Sequence, residues 1–154
     1  FGSVNRNKKS VILDLKTDDG LAAARTLAAS ADVLIENFRV GTMDRLGLGF
    51  AELTARNPRL IYCSITGFGP TGPYADRPGY DTIGQAMGGL LGLLTDLDDP
   101  KPMGMSLADH LTGIFACYGI LAALNSRIAT GEGQLVQVNM LDAITTEITH
   151  QVLP

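Results

Sequence analysis

The chain has 154 residues, 45% of them apolar and 18% charged, a composition that builds a packed core rather than a disordered segment. Its formal charge of −4 argues against a nucleic-acid surface as the main role. Two cysteines, Cys63 and Cys117, lie far apart in apolar segments with neither metal nor redox spacing, which fits a cytoplasmic chain without a metal.

Ser10–Leu15 (SVILDL) is expected as a buried strand. Thr17–Ala31 follows as a helix, with Thr17 or Asp18 as N-cap and apolar residues at helical spacing. Asp32–Asn37 is a second strand. Two short helices are expected at Val40–Leu46 and Phe50–Asn57, and Pro58 ends the second. A third strand begins in Leu60–Gly69. Strand alternating with helix is the rhythm of an α/β domain, an open Rossmann-like sheet, mainly parallel, flanked by helices.

Gly67–Asp81 holds four glycines and three prolines and reads as an irregular loop. It leaves the carboxyl end of a strand, where open α/β sheets bind ligands. Thr82–Thr95 is expected as one glycine-rich helix, and DLDDPKP as an exposed turn. Ser106–Thr130 reads as a long buried helix closed by Gly131–Gly133. Gly113, Tyr118, Gly119 and Asn125 interrupt its apolar run and make it a poor membrane span. Gln134–Met140 alternates as a strand, and a last helix starts at Leu141. The chain opens at Phe1 without Met and stops just after a helical pattern, so a piece of a longer polypeptide is expected.

Asp109 stands at the mouth of the long helix. Ser106-x-x-Asp109 has the spacing of a capping box, in which the acid serves only the helix N-terminus. Alternatively, a carboxylate held where a ligand can reach it acts as base or nucleophile. The two readings are compatible. His110 adjoins Asp109 but does not face it on a helix, and no serine nucleophile motif accompanies it. Neither a P-loop nor a strand-following G-x-G-x-x-G occurs, so a nucleotide site of either common type is unsupported. NRNKKS (Asn5–Ser10), Arg39 and Arg45 place cations at strand ends, where they suit a phosphorylated ligand.

Five stretches in this order carry a resemblance: NRNKKSVILDLKTDDG, DVLIENFRVGTMDRLGLG, NPRLIYCSITGFGPTGPYADRPGYD, SLADHLTG and GILAAL…TGEGQLVQVNMLDA. Together they closely resemble the family III CoA-transferases, the group that includes formyl-CoA transferase, the carnitine CoA-transferases and the α-methylacyl-CoA racemases. The resemblance spans the whole chain. It implies most of an N-terminal large domain, without its first strand and without the C-terminal part.

It also implies a chemistry. Asp109 matches the family's nucleophile, although many members have Gly where this chain has Ala108. The carboxylate attacks an acyl-CoA thioester, and CoA then passes to an incoming carboxylic acid through covalent aspartyl intermediates. Oxyanion donors would be backbone N–H groups. The CoA contacts it implies are Leu13, Asp14, Leu15, Lys16, Asn37, Phe38, Arg39, Arg45, Pro78, Gly79, Tyr80 and Asp81. The partners it implies are an acyl-CoA, a small carboxylic acid and a second copy in an interlocked homodimer, with no metal, nucleic acid or membrane. Racemases of the group carry GHD where this chain has Gly79-Tyr80-Asp81, and a phenol is a poor partner for moving an α-proton at neutral pH. Transferase is therefore preferred to racemase, and a CoA-binding protein without turnover is the third alternative.

Overall fold

The computed structural model describes residues 2–152. Helix α1 (Asp18–Ser30) starts where Thr17 accepts a hydrogen bond from the Gly20 N–H at 3.1 Å, with Asp18 and Asp19 complementing the helix dipole. Strand β1 (Val33–Glu36) follows, then the short helices α2 (Thr42–Arg45) and α3 (Phe50–Arg56), and strand β2 (Ile61–Thr66). Helices α4 (Asp81–Met87) and α5 (Leu90–Leu94) lead to the long α6 (Leu107–Thr130), strand β3 (Leu135–Asn139) and helix α7 (Met140–Val152).

The three strands form one parallel sheet in the order β1-β2-β3, with Val33 opposite Ile61 and Tyr62 opposite Leu135. Central β2 is buried over Ile61, Tyr62 and Cys63, as expected for a parallel strand covered on both faces. Ala28, Met43, Leu48, Leu53, Leu60 and Tyr62 pack into one core. Leu90, Ala108, Met140, Ile144 and Ile148 form a second core between α5, α6 and α7. The sheet is thus small, parallel and flanked by helices, as the strand–helix alternation predicts.

Three elements differ from expectation. Ser10–Leu15 is not a strand. A strand requires a hydrogen-bonded neighbour, this segment pairs with none among the described residues, and Ile12 is 96% exposed. The helix expected over Thr82–Thr95 is broken in two at Gly88–Gly89, where Gly89 takes φ +86°, a conformation that glycine adopts without strain. Helix α6 is not buried along its length: Ala108, Thr112, Ala116 and Ala123 face inward, while Ile114, Tyr118, Leu121 and Ile128 are exposed. Despite the interruptions noted in its sequence, α6 is long and apolar enough by composition to cross a membrane, with a mean hydropathy of 1.5. Its small inward side chains pack on β2, β3, α4 and α7.

Candidate active site

Because all three strands run parallel, their carboxyl ends lie on one side of the sheet. The segments leaving them meet there and enclose a cleft of about 310 Å³. Asn37, Phe38 and Arg39 come from the end of β1, Thr66 and Gly67 from the end of β2, and Met140 from the end of β3. The far side of the loop after β2 adds Arg77, Pro78, Gly79 and Tyr80. Asp81 at the start of α4 and Asp109 in the first turn of α6 complete the wall.

The start of α6 is not capped as its local sequence predicts. The Ser106 side chain makes no capping hydrogen bond. Instead the Asp109 N–H donates to Asp81 Oδ1 at 3.1 Å, across 28 residues of sequence. The other Asp81 oxygen accepts from the Gln85 amide, which also donates to the Met105 carbonyl at 3.0 Å. Two carboxylates therefore share the mouth of one helix. Burial raises the pKa of Asp109 above the usual aspartate value, the neighbouring charge of Asp81 raises it further, and His110 offsets part of the rise.

Arg39 and Arg77 line the same cleft, and among the described residues neither takes part in an ion pair. The Arg77 guanidinium lies 4.6 Å from the ring centre of Tyr74, and Tyr74 packs on Phe68 at 5.5 Å. A stacked guanidinium keeps its N–H donors free for an anion. Asn37 has a second task, since its Nδ2 donates to the Ile65 carbonyl at 2.7 Å and ties the end of β1 to β2.

Of the residues singled out in the sequence, the structure gathers Asn37, Phe38, Arg39, Pro78, Gly79, Tyr80, Asp81 and Asp109 around one cleft. Leu13 and Leu15 line an apolar groove beside α1 and β1 instead, and Phe38 belongs to both spaces. Asp14, Lys16 and Arg45 are not among the residues lining either. Asp14 shapes the turn before α1, accepting from the Lys16 N–H at 3.0 Å, and Arg45 folds back onto the Thr42 hydroxyl at 3.0 Å. The sequence reading missed Arg77 and Gln85. Arg77 directly precedes the Pro78–Asp81 motif, which is a usable signal, whereas nothing local distinguishes Gln85. Among the described residues, no group of three or more His, Cys, Asp and Glu side chains is placed to hold a metal ion.

Comparison with known proteins bears on the family and the fold. The chain is 43% identical to the succinate–glutarate CoA-transferase of Agrobacterium fabrum, covering 98% of this chain and 38% of that protein. It is 45% identical to the acetyl-CoA:oxalate CoA-transferase of Acetobacter aceti, covering 99% and 40%. Its fold superposes on the crystal structure of a CaiB/BaiF family protein from Brucella suis with a TM-score of 0.92 and 44% identity, over 97% of this chain and 40% of the other. The chain thus spans about two-fifths of the length of these relatives. The model of CoA-transferase family III matches residues 1–153, and the chain belongs to that family.

Proposed function

We propose that the full-length protein moves CoA from an acyl-CoA to a carboxylic acid, with Asp109 as the nucleophile. The observation that carries this reading is the meeting of Asp109 with Asn37–Arg39 and Pro78–Asp81 in one cleft, in a chain whose relatives are named CoA-transferases. The Asp109 carboxylate attacks the thioester carbonyl, the C–S bond breaks, and CoA thiolate leaves an acyl–aspartyl anhydride. The thiolate attacks the aspartyl carbonyl, releasing the donor acid and forming an aspartyl–CoA thioester. The acceptor carboxylate displaces the thiolate from that thioester and forms a second anhydride. Attack of the thiolate on its acyl carbonyl then releases the new acyl-CoA and restores Asp109. No net proton or electron is consumed.

The raised basicity of Asp109 suits this role, because a more basic carboxylate is a better nucleophile once ionised. Backbone N–H groups of the loop after β2 are the candidate donors to the oxyanion. Relatives named for succinate, glutarate and oxalate make a small dicarboxylic acid the first choice of acceptor, and Arg77 offers its second carboxylate a partner. The family resemblance further supports an interlocked homodimer, and the cysteine usage a cytoplasmic location. No metal, nucleic acid or membrane enters the scheme.

Mass spectrometry of CoA exchange by the full-length protein, with succinyl-CoA offered against a panel of carboxylic acids, tests the reading. New acyl-CoA species that disappear in Asp109→Asn are expected. Exchange that survives this substitution overturns it.

A further inference from the structure

Asp81 and Asp109 stand in a relation that a helix cap alone does not explain. A local Ser or Asn caps a helix without bringing a second negative charge beside a carboxylate, and Ser106 occupies the N-cap position without being used. Here the cap comes from the first residue of another helix. It is itself held from behind: Gln85, 2% exposed, gives its amide hydrogens to Asp81 and to the Met105 carbonyl just before α6. Its Oε1 is buried without a hydrogen-bond partner. A buried amide with an unmet acceptor is costly, so Gln85 is placed for its donors: one holds the Asp81 carboxylate within α4, and the other ties α4 to the segment entering α6.

We infer that Asp81 is a positioning residue for Asp109: anchored by Gln85, it fixes the first turn of α6 through the Asp109 N–H and holds a negative charge against the Asp109 carboxylate. The inference deepens the nucleophile reading above and rests on it. Burial is the larger cause of the upward direction of the Asp109 pKa, and the Asp81 charge adds to it, making Asp109 harder to ionise and more basic when ionised. The other charged groups near Asp109 are its neighbour His110 on α6, which offsets part of the rise, and Arg39 from the end of β1 and Arg77 from the loop after β2, which line the same cleft. All three are basic, so Asp81 is the one acid among them.

The test uses the full-length protein labelled with carboxyl-13C aspartate, so that the Asp109 titration is followed directly by NMR and assigned from Asp109→Asn. In Asp81→Asn the side-chain oxygen can still accept the Asp109 N–H, but the charge is gone. The Asp109 midpoint is expected to move to lower pH, and Asp81→Glu, which restores the charge on a longer arm, is expected to move it back. Asp81→Ala loses the cap as well. It should slow formation of the hydroxylamine-sensitive Asp109 adduct from succinyl-CoA by about 10- to 100-fold, as misplacement of a reacting group does, and should speed hydrogen exchange of the Asp109 amide. An unchanged midpoint in Asp81→Asn overturns the inference, as does a midpoint that stays low in Asp81→Glu. Succinyl-CoA exchange that persists in Asp109→Asn would defeat the nucleophile reading instead, and the NMR titration tells the two failures apart.

Discussion

Gly67 and Gly79 meet backbone to backbone at the neck of the loop that walls the cleft: a Cβ on Gly67 would stand 2.5 Å from the Gly79 Cα. The loop between them carries Tyr74 and Arg77, so this contact sets where the guanidinium sits over the site. The Gly67 carbonyl also accepts from the Leu141 N–H at 3.1 Å, which binds the neck to the start of α7. Neither backbone can yield without moving one of these partners.

Gly67→Ala in the full-length protein is therefore expected to destabilise it by about 1–3 kcal/mol, the usual cost of overpacking. The exchange rate should fall further than stability alone accounts for, because the loop is pushed off the cleft. Urea denaturation and the exchange assay measure the two effects separately. Unchanged activity in a folded Gly67→Ala protein would mean that the neck does not position the wall.

Arg77 offers the next test. Its side chain is exposed, stacked on Tyr74 and turned to the cleft without an ion-pair partner among the described residues. Arg77→Ala should raise the KM for a dicarboxylic acceptor by roughly 10- to 100-fold, the equivalent of one charge-assisted contact of about 1.5–3 kcal/mol. Arg77→Lys should recover only part, since an ammonium keeps the charge but loses the planar fork and its stacking. If instead the KM for acyl-CoA alone rises, Arg77 serves a CoA phosphate and the acceptor carboxylate is held elsewhere.

Arg127 tests stability away from the site. Its guanidinium reaches Asp32 Oδ1 and the Arg59 carbonyl, each at 2.8 Å, and its side chain is only 11% exposed. It joins the end of α6 to the segments entering β1 and β2. Asp32 is 79% exposed, so the ion pair itself contributes little. Arg127→Ala should cost about 1–3 kcal/mol through the lost packing of its largely buried side chain and its lost hydrogen bonds, and Asp32→Asn less than about 1 kcal/mol. Equal losses in urea denaturation would shift the weight to the ion pair.

The sequence made some features legible and hid others for definite reasons. β1 and β2 were recoverable as short apolar runs, and β3 by its alternation of apolar and polar residues. Ser10–Leu15 has the same composition, but pairing is a property of two segments, and none of the described residues pairs with it. The break between α4 and α5 was signalled by Gly88–Gly89, which a reading by apolar spacing overrides. At the cleft, Asn37–Arg39 and Pro78–Asp81 could be gathered by motif resemblance. The link from Asp81 to Asp109 could not, because a cap across 28 residues leaves no local spacing. Ser106-x-x-Asp109 pointed to the wrong donor–acceptor pair for the same reason: it satisfies a local rule that the tertiary contact replaces.

Asp109 and Tyr80 together separate CoA transfer from racemisation. Both line the cleft, and Tyr80 is 66% exposed there. A nucleophilic carboxylate touches the thioester carbonyl and leaves the α-hydrogen alone. A racemase must remove that hydrogen and return one from the opposite face, which takes two groups able to exchange a proton near neutral pH. Asp109 supplies one such group, and the position where racemases of the group carry histidine holds a phenol. The full-length protein, given a chiral 2-methylacyl-CoA in deuterium oxide, is therefore expected to leave the α-carbon unlabelled. Given acyl-CoA and then hydroxylamine, it is expected to yield Asp109 hydroxamate, because an anhydride or thioester is open to that nucleophile while a free carboxylate is not. Asp109→Asn should abolish the adduct, and Tyr80→Phe should retain it. Rapid, Asp109-dependent deuterium uptake with no trapped adduct would assign the protein to the racemase branch.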